Sequence, residues 1–123
     1  MAERLFTERE LDVMSILWRR GSATVAEVRG ELGEDLAYTS VLSALQTLES
    51  KGYVGHEVEG RAYRYHPLVE PEEAGGTAVA RILDKIFHGS AELMLAQLVS
   101  GRRIPRKELK RMRRLLEERL EAE

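Results

Sequence analysis

Thr39, Ser43, Gln46, Thr47 and Ser50 recur at i, i+4, i+7, i+8 and i+11, with Tyr38 and Ser40 just ahead of them. On a helix this spacing makes one continuous stripe of short, uncharged hydrogen-bonding groups. In a chain that is 33% charged, a solvated helix face would carry mostly Lys, Arg, Glu and Asp. Hydroxyls and amides compete with the backbone for hydrogen bonds and are weak helix formers, so exposure to water alone does not account for the stripe. Their chemistry suits the major groove of a duplex. Short donors and acceptors reach base edges there and can lie beside a thymine methyl, whereas a carboxylate would be repelled by phosphate. The alternative is a Ser/Thr-rich face packed on another protein surface, or merely a polar face.

A second group of residues lies in EVEGRAYRYHP, 57–67. Extended stretches at 54–59 and 62–66 flank Gly60-Arg61, and glycine tolerates the positive φ that a two-residue hairpin loop requires. With those two residues as the loop, Glu57 stands opposite Arg64, and an opposite-charge pair supports that register. Arg61 at the tip, Arg64 on the second strand and the Tyr63 hydroxyl could then hold phosphates or enter a minor groove. In the alternative, Tyr63 and Tyr65 cover the core while the arginines pair with Glu57 and Glu59.

Three helices must position these groups. Thr7 with Glu10 is a capping-box pair, and the spacing predicts a helix over 8–20 with Leu11, Met14, Leu17 and Trp18 inward. Thr24 with Glu27 repeats the signature and opens a short helix that buries Val25, Val28 and Leu32. After the turn GEDLA, a third helix runs over 38–51 with Val41, Ala44, Leu45 and Leu48 inward and Gly52 just past its end. A short helix, a tight turn and a helix with a polar outer stripe form a helix-turn-helix arrangement. The ribbon that follows has too little sheet to stand without the helices beneath it.

Farther on, Pro71 opens a fourth helix whose apolar face is Val79, Ile82, Leu83, Ile86 and Phe87. A fifth helix from Ser90 carries Ala91, Met94, Leu95 and Leu98, and a sixth from Pro105 carries Leu109, Met112, Leu115, Leu116 and Leu120. Three short helices with wide apolar stripes cannot bury them within about fifty residues, so a second copy of the chain is the simplest cover. Gly75-Gly76 is expected to form a pliable junction. The sixth helix begins with cations and ends with Glu117, Glu118, Glu121 and Glu123, opposite to the macrodipole preference. An antiparallel copy would match its two halves; a merely solvated charge run is the alternative.

Composition sets the limits. The chain of 123 residues has a net charge of -2 and no cysteine, which excludes disulfides and thiolate chemistry. Residues 1–69 hold 8 Lys+Arg against 11 Asp+Glu and residues 70–123 hold 11 against 10, so any contact with an anion must come from a local patch. No apolar run suits a membrane span, and MAERLFTERE lacks a secretory apolar core, so a cytoplasmic location is expected. His56 and His66 lack a third ligand at metal-site spacing, and no phosphate loop or nucleophile triad is readable. No cofactor, metal site or enzyme activity is expected.

The stretches TEREL and VMSILW within 7–18, ATVAEVRGEL (23–32), AYTSVLSALQTLESKGYV (37–54) and EGRAYRYHPLV (59–69) closely resemble the penicillinase and methicillin-resistance repressors, the BlaI/MecI family. The resemblance implies a mainly α, α+β chain: a winged helix-turn-helix DNA-binding domain over 1–69, then a three-helix dimerisation domain over 70–123. It further implies a homodimeric repressor on palindromic operator DNA. AYTSV would open the recognition helix and GRAYRY would form the wing, which gives Tyr38, Thr39, Ser40, Ser43, Thr47, Arg61, Tyr63 and Arg64 as contacts. Some relatives are released when a membrane sensor metalloprotease triggers cleavage in the fifth helix. The matching pair here is Gln97-Leu98, which departs from the Asn-Phe bond of the staphylococcal members. Copper-responsive relatives bind metal through a Cys-x-Cys tail, which this cysteine-free chain lacks. A winged-helix module that contacts only proteins is the rival reading.

Overall fold

The computed structural model describes residues 6–33 and 35–123. Residues 1–5, part of the charged amino-terminal stretch, and Glu34 of the GEDLA turn lie outside the described residues. The chain forms two compact units that divide between Val79 and Ala80.

In the first unit, helix α1 (Glu8–Arg20) opens on a complete capping box. The Thr7 N–H donates to Glu10 Oε1 at 2.8 Å and the Glu10 N–H donates to Thr7 Oγ1 at 3.1 Å. The same reciprocal bonds between Thr24 and Glu27 open α2 (Val25–Leu32). Each box satisfies two backbone donors that a helix start otherwise leaves unpaired. Helix α3 (Tyr38–Ser50) follows the turn, which Arg29 braces by donating from Nε to the Leu36 carbonyl at 2.8 Å.

The sheet has three strands, not the two-stranded ribbon expected from the sequence. Strand β1 (Ala23–Thr24) pairs antiparallel with β3 (Ala62–Pro67), which also pairs with β2 (Val54–Glu59), in the order β1-β3-β2. Strand β1 is only two residues long, and Thr24 serves at once as strand and helix cap, so no alternating pattern announces it. Val13, Met14 and Leu17 from α1, Val25 and Val28 from α2, and Val41, Leu45 and Leu48 from α3 close over Tyr53, Val54 and Tyr65.

Leu11 does not belong to the buried stripe. It is 43% exposed, whereas Glu10, Val13, Met14 and Leu17 are buried at i, i+3, i+4 and i+7. A carboxylate takes a core-facing position because its charge is matched: Lys51 Nζ lies 3.0 and 3.1 Å from the two Glu10 oxygens. Trp18 is only half-buried, and its Nε1–H donates to the Val69 carbonyl at 2.8 Å.

The remaining helices are α4 (Pro71–Lys85), α5 (Ala91–Gly101), capped by Ser90, and α6 (Arg106–Ala122). Gly75 and Gly76, expected at a pliable junction, lie inside α4. Two glycines cost a helix about 1 kcal/mol each but remove no donor, so the hydrogen-bond ladder continues through them. Ile86 and Phe87 follow the end of α4 in a turn rather than extending its apolar face. No residue of α4, α5 or α6 is buried. Val79, Ile82, Ile86, Leu98, Leu109 and Leu116 are exposed, while Leu83, Phe87, Met94, Leu95 and Met112 are partly covered.

Leu45→Ala, at a fully buried position, is expected to lower stability by about 2–5 kcal/mol, and Leu11→Ala by less than about 1 kcal/mol. Urea unfolding monitored by circular dichroism measures both; equal losses would contradict the burial assigned to α1.

Candidate nucleic-acid interface

The third helix presents its uncharged stripe outward. Thr39, Ser40, Ser43, Gln46, Thr47 and Ser50 are all exposed, and Tyr38 at the amino end is 44% exposed. Its opposite face is pinned by Val41, Leu45 and Leu48, each fully buried. Two polar anchors then fix its carboxyl end. Lys51, which caps the helix, reaches Glu10 on α1, and Glu49 accepts from or pairs with His56 Nδ1 of β2 at 2.6 Å. Gly52 adopts φ 84°, the left-handed geometry that lets the chain leave the helix and enter β2.

The hairpin has the predicted register, with Glu57 opposite Arg64 and Glu59 opposite Ala62. Gly60 takes φ 63° at the first loop position, where glycine is favoured in a two-residue turn. Arg61 is exposed at the tip. Tyr63 is 45% exposed and stacks on His56, with ring centroids 4.3 Å apart. Tyr65 is 1% exposed and belongs to the core, so of the two tyrosines only Tyr65 has the core-covering role. Burial first, and then the Glu49 charge, push the Tyr65 hydroxyl up from its ordinary pKa.

Arg64 is committed differently from its cross-strand position. Its Nε and Nη2 donate to the two oxygens of Glu59, both at 2.9 Å, and its Nη1 donates to Glu27 at 3.1 Å and to Ser22 Oγ at 3.4 Å. Glu57, directly opposite in register, is not its partner. The guanidinium therefore joins the wing to the start of α2. Glu59, and then Glu27, hold the Arg64 pKa above its usual range. In return, Arg64 lowers Glu59, while the Thr24 N–H first and Arg64 after it lower Glu27. Arg19 and Arg20 also pair with Glu31 on α2. The sequence signalled Glu27 as a cap, but its second bond to Arg64 depends on the unforeseen β1–β3 pairing.

His56 and His66 are not brought together. Their strand partners are Tyr65 and Gly55, adjacent positions that point to opposite faces, and His56 is engaged with Glu49. The stripe and Arg61 are thus both exposed, the first able to present hydroxyls and amides to base edges and the second a guanidinium to phosphate.

The penicillinase repressor family model matches residues 6–118. The chain belongs to this family. Penicillinase repressor relatives include the Bacillus licheniformis penicillinase repressor, 24% identical over 114 residues that cover 91% of this chain and 89% of the relative. Another is the transcriptional regulator BlaI of Mycobacterium tuberculosis, 36% identical over 113 residues covering 89% and 80%. In structure, the chain is similar to the DNA-binding domain of the repressor BlaI, with a TM-score of 0.52 and 27% identity over 58% of this chain and 90% of that one. The family and these neighbours are transcriptional regulators, not enzymes, and this chain is a BlaI-like repressor with a winged-helix fold. Among the described residues, no helix is long and apolar enough to cross a membrane.

The lowered carboxylates carry a definite pH sign. With Glu27, Glu31 and Glu59 depressed, the folded state binds fewer protons than the unfolded chain in acid. Their contribution is complete above the ordinary carboxylate range, roughly pH 4–4.5, and is lost as pH falls through the folded values. Urea midpoints between pH 7 and pH 3 should therefore fall less steeply for a Glu27→Gln, Glu59→Gln double variant than for the parent; parallel curves would count against the Arg64 hub.

Proposed function

We infer that the chain is a homodimeric transcriptional repressor of palindromic operator DNA. Each protomer inserts α3 in the major groove and sets the Gly60-Arg61 turn on the flanking backbone, with half-sites separated by whole helical turns. The outward, uncharged stripe from Thr39 to Ser50 supports this reading most directly, because a solvated helix in so charged a chain has no need of it. Tyr38, Thr39, Ser40, Ser43, Gln46 and Thr47 supply groove contacts, while Arg61 and Tyr63 supply backbone contacts. Arg64 takes part chiefly by holding the wing. Residues 1–69 act as the DNA-binding domain and 70–123 as the dimerisation domain, with the uncovered apolar residues of α4, α5 and α6 as its surface.

Kinship adds two elements. Repression of resistance or stress genes in the cytoplasm is the family's role, and a membrane sensor metalloprotease is a fitting upstream partner. Gln97 and Leu98, both exposed on α5, then mark the candidate region for cleavage. The net charge of -3 on residues 1–69 favours one other reading, a winged-helix module that binds only proteins.

A gel-shift titration on the chain's own upstream promoter region at two salt concentrations separates these readings. Arg61→Ala should weaken binding to every duplex and flatten the salt slope by about one unit. Thr39→Ala should mainly erode the preference for operator over random duplex. Equal losses from both variants on both duplexes would refute this division of roles, and no shift at either salt would leave the protein-binding module.

A further inference from the structure

Residues 102–114 hold eight Lys+Arg against one Asp+Glu, a net of +7, while the other 110 residues hold 11 against 20, a net of -9. All eight cations are exposed, and among the described residues none has an ion-pair partner; the ion pair that α6 does form joins Arg119 to Glu123 near its other end. Lys107, Lys110, Arg111 and Arg114 lie three and four residues apart, where like charges destabilise a helix by about 0.2–0.5 kcal/mol per pair. Lys107, in the first turn, also stands at the positive end of the helix dipole. An external anion would relieve both penalties. Arg106, Lys110 and Arg113, with Leu109, line one shallow depression of about 320 Å³.

The choice of anion follows from helix geometry. At roughly 100° per residue, Lys107, Lys110, Arg111 and Arg114 fall on the side opposite Leu109, Met112 and Leu116. A second copy docked through that apolar stripe would leave these cations facing away from the seam, and its own acids likewise. Glu117, Glu118 and Glu121 continue the same outer side, where an anionic lipid surface would repel them. A nucleic-acid backbone needs only a local row of cations, and six of the eight are arginines, whose planar fork suits phosphate.

We propose that Arg102, Arg103 and the cations of the first turns of α6 form a second phosphate-binding surface, which engages the duplex backbone without reading sequence. This rests on the reading of the chain as a DNA-binding repressor. The surface adds to the general affinity for duplex that Arg61 and Tyr63 supply from the otherwise acidic remainder of the chain.

The test uses full-length protein carrying Lys107→Gln, Lys110→Gln, Arg111→Gln and Arg114→Gln, beside Arg61→Ala, on a labelled random-sequence duplex at several salt concentrations. Glutamine keeps helix propensity and removes repulsion, and circular dichroism verifies the helix content. The quadruple variant should flatten the salt slope by about 0.9 for each phosphate it no longer neutralises, roughly two to four units in all, and weaken random-duplex binding tenfold or more. An unchanged slope here, with the Arg61→Ala slope reduced, overturns this surface and leaves the operator reading intact. The reverse pattern upholds the surface and overturns the wing contact. Absence of any duplex binding by the parent protein overturns both. Sedimentation supplies the last outcome: a dimer weakened by the quadruple variant, and equally by Glu117→Gln, Glu118→Gln and Glu121→Gln, at unchanged duplex slope assigns the cations to a second copy and overturns the proposal.

Discussion

Glu10 and Glu27 occupy the same position in two capping boxes, and each carries a second bond that leaves its own helix. Glu10 reaches Lys51 at the end of α3, and Glu27 reaches Arg64 in the middle strand of the sheet. The first bond adds to the buried Val41, Leu45 and Leu48 in holding the helix that bears the exposed stripe, and the second ties the hairpin to α2. Glu10 is 5% exposed, so its charge is tolerated only while Lys51 and the Thr7 N–H remain in place. Removing Lys51 would leave the Glu10 carboxylate buried without its counter-charge, whereas Lys51 itself still reaches solvent. Helix starts, sheet and outward stripe are therefore fastened through two side chains.

The same economy explains how an acidic unit can face an anionic partner. Among the described residues of the first unit, four cations are held by its own carboxylates: Arg19 and Arg20 by Glu31, Arg64 by Glu27 and Glu59, and Lys51 by Glu10. These pairs cancel charge locally and at short range, so they create little field at the stripe. What projects is uncharged on α3 and positive at Arg61. Net charge is a poor guide for this chain because charge is sorted by position rather than by total.

Much of this arrangement was legible in the sequence, and the exceptions share a cause. Both capping boxes, the inward residues of α3, the stripe and the Glu57–Arg64 register follow from rules that involve neighbours a few residues apart. Leu11, β1 and the Arg64–Glu27 pair do not. Glu10 hides a core-facing position because its counter-charge lies 41 residues away, and Arg64, besides the nearby Glu59 that the sequence offered, takes Glu27 at a separation of 37 residues rather than the facing Glu57. Long-range charge pairing leaves no periodic trace. Strand β1 escapes for another reason, since two residues cannot display a period of two.

Helices α4, α5 and α6 pose the converse case, in which local periodicity is clear and tertiary burial is missing. They have regular apolar stripes, and Ser90 caps α5, yet none of their residues is buried within this chain. Helical stability in water comes mainly from packing an apolar face, so three exposed stripes are an unfinished core. On the homodimer reading, folding of these helices and association of two copies become one event, and the affinity of the paired recognition helices for DNA inherits its strength. A break in α5 at Gln97-Leu98 would then remove one of the stripes on which the assembly rests. It would act on operator occupancy without touching any residue that meets a base, because two tethered half-sites bind far more tightly than either alone.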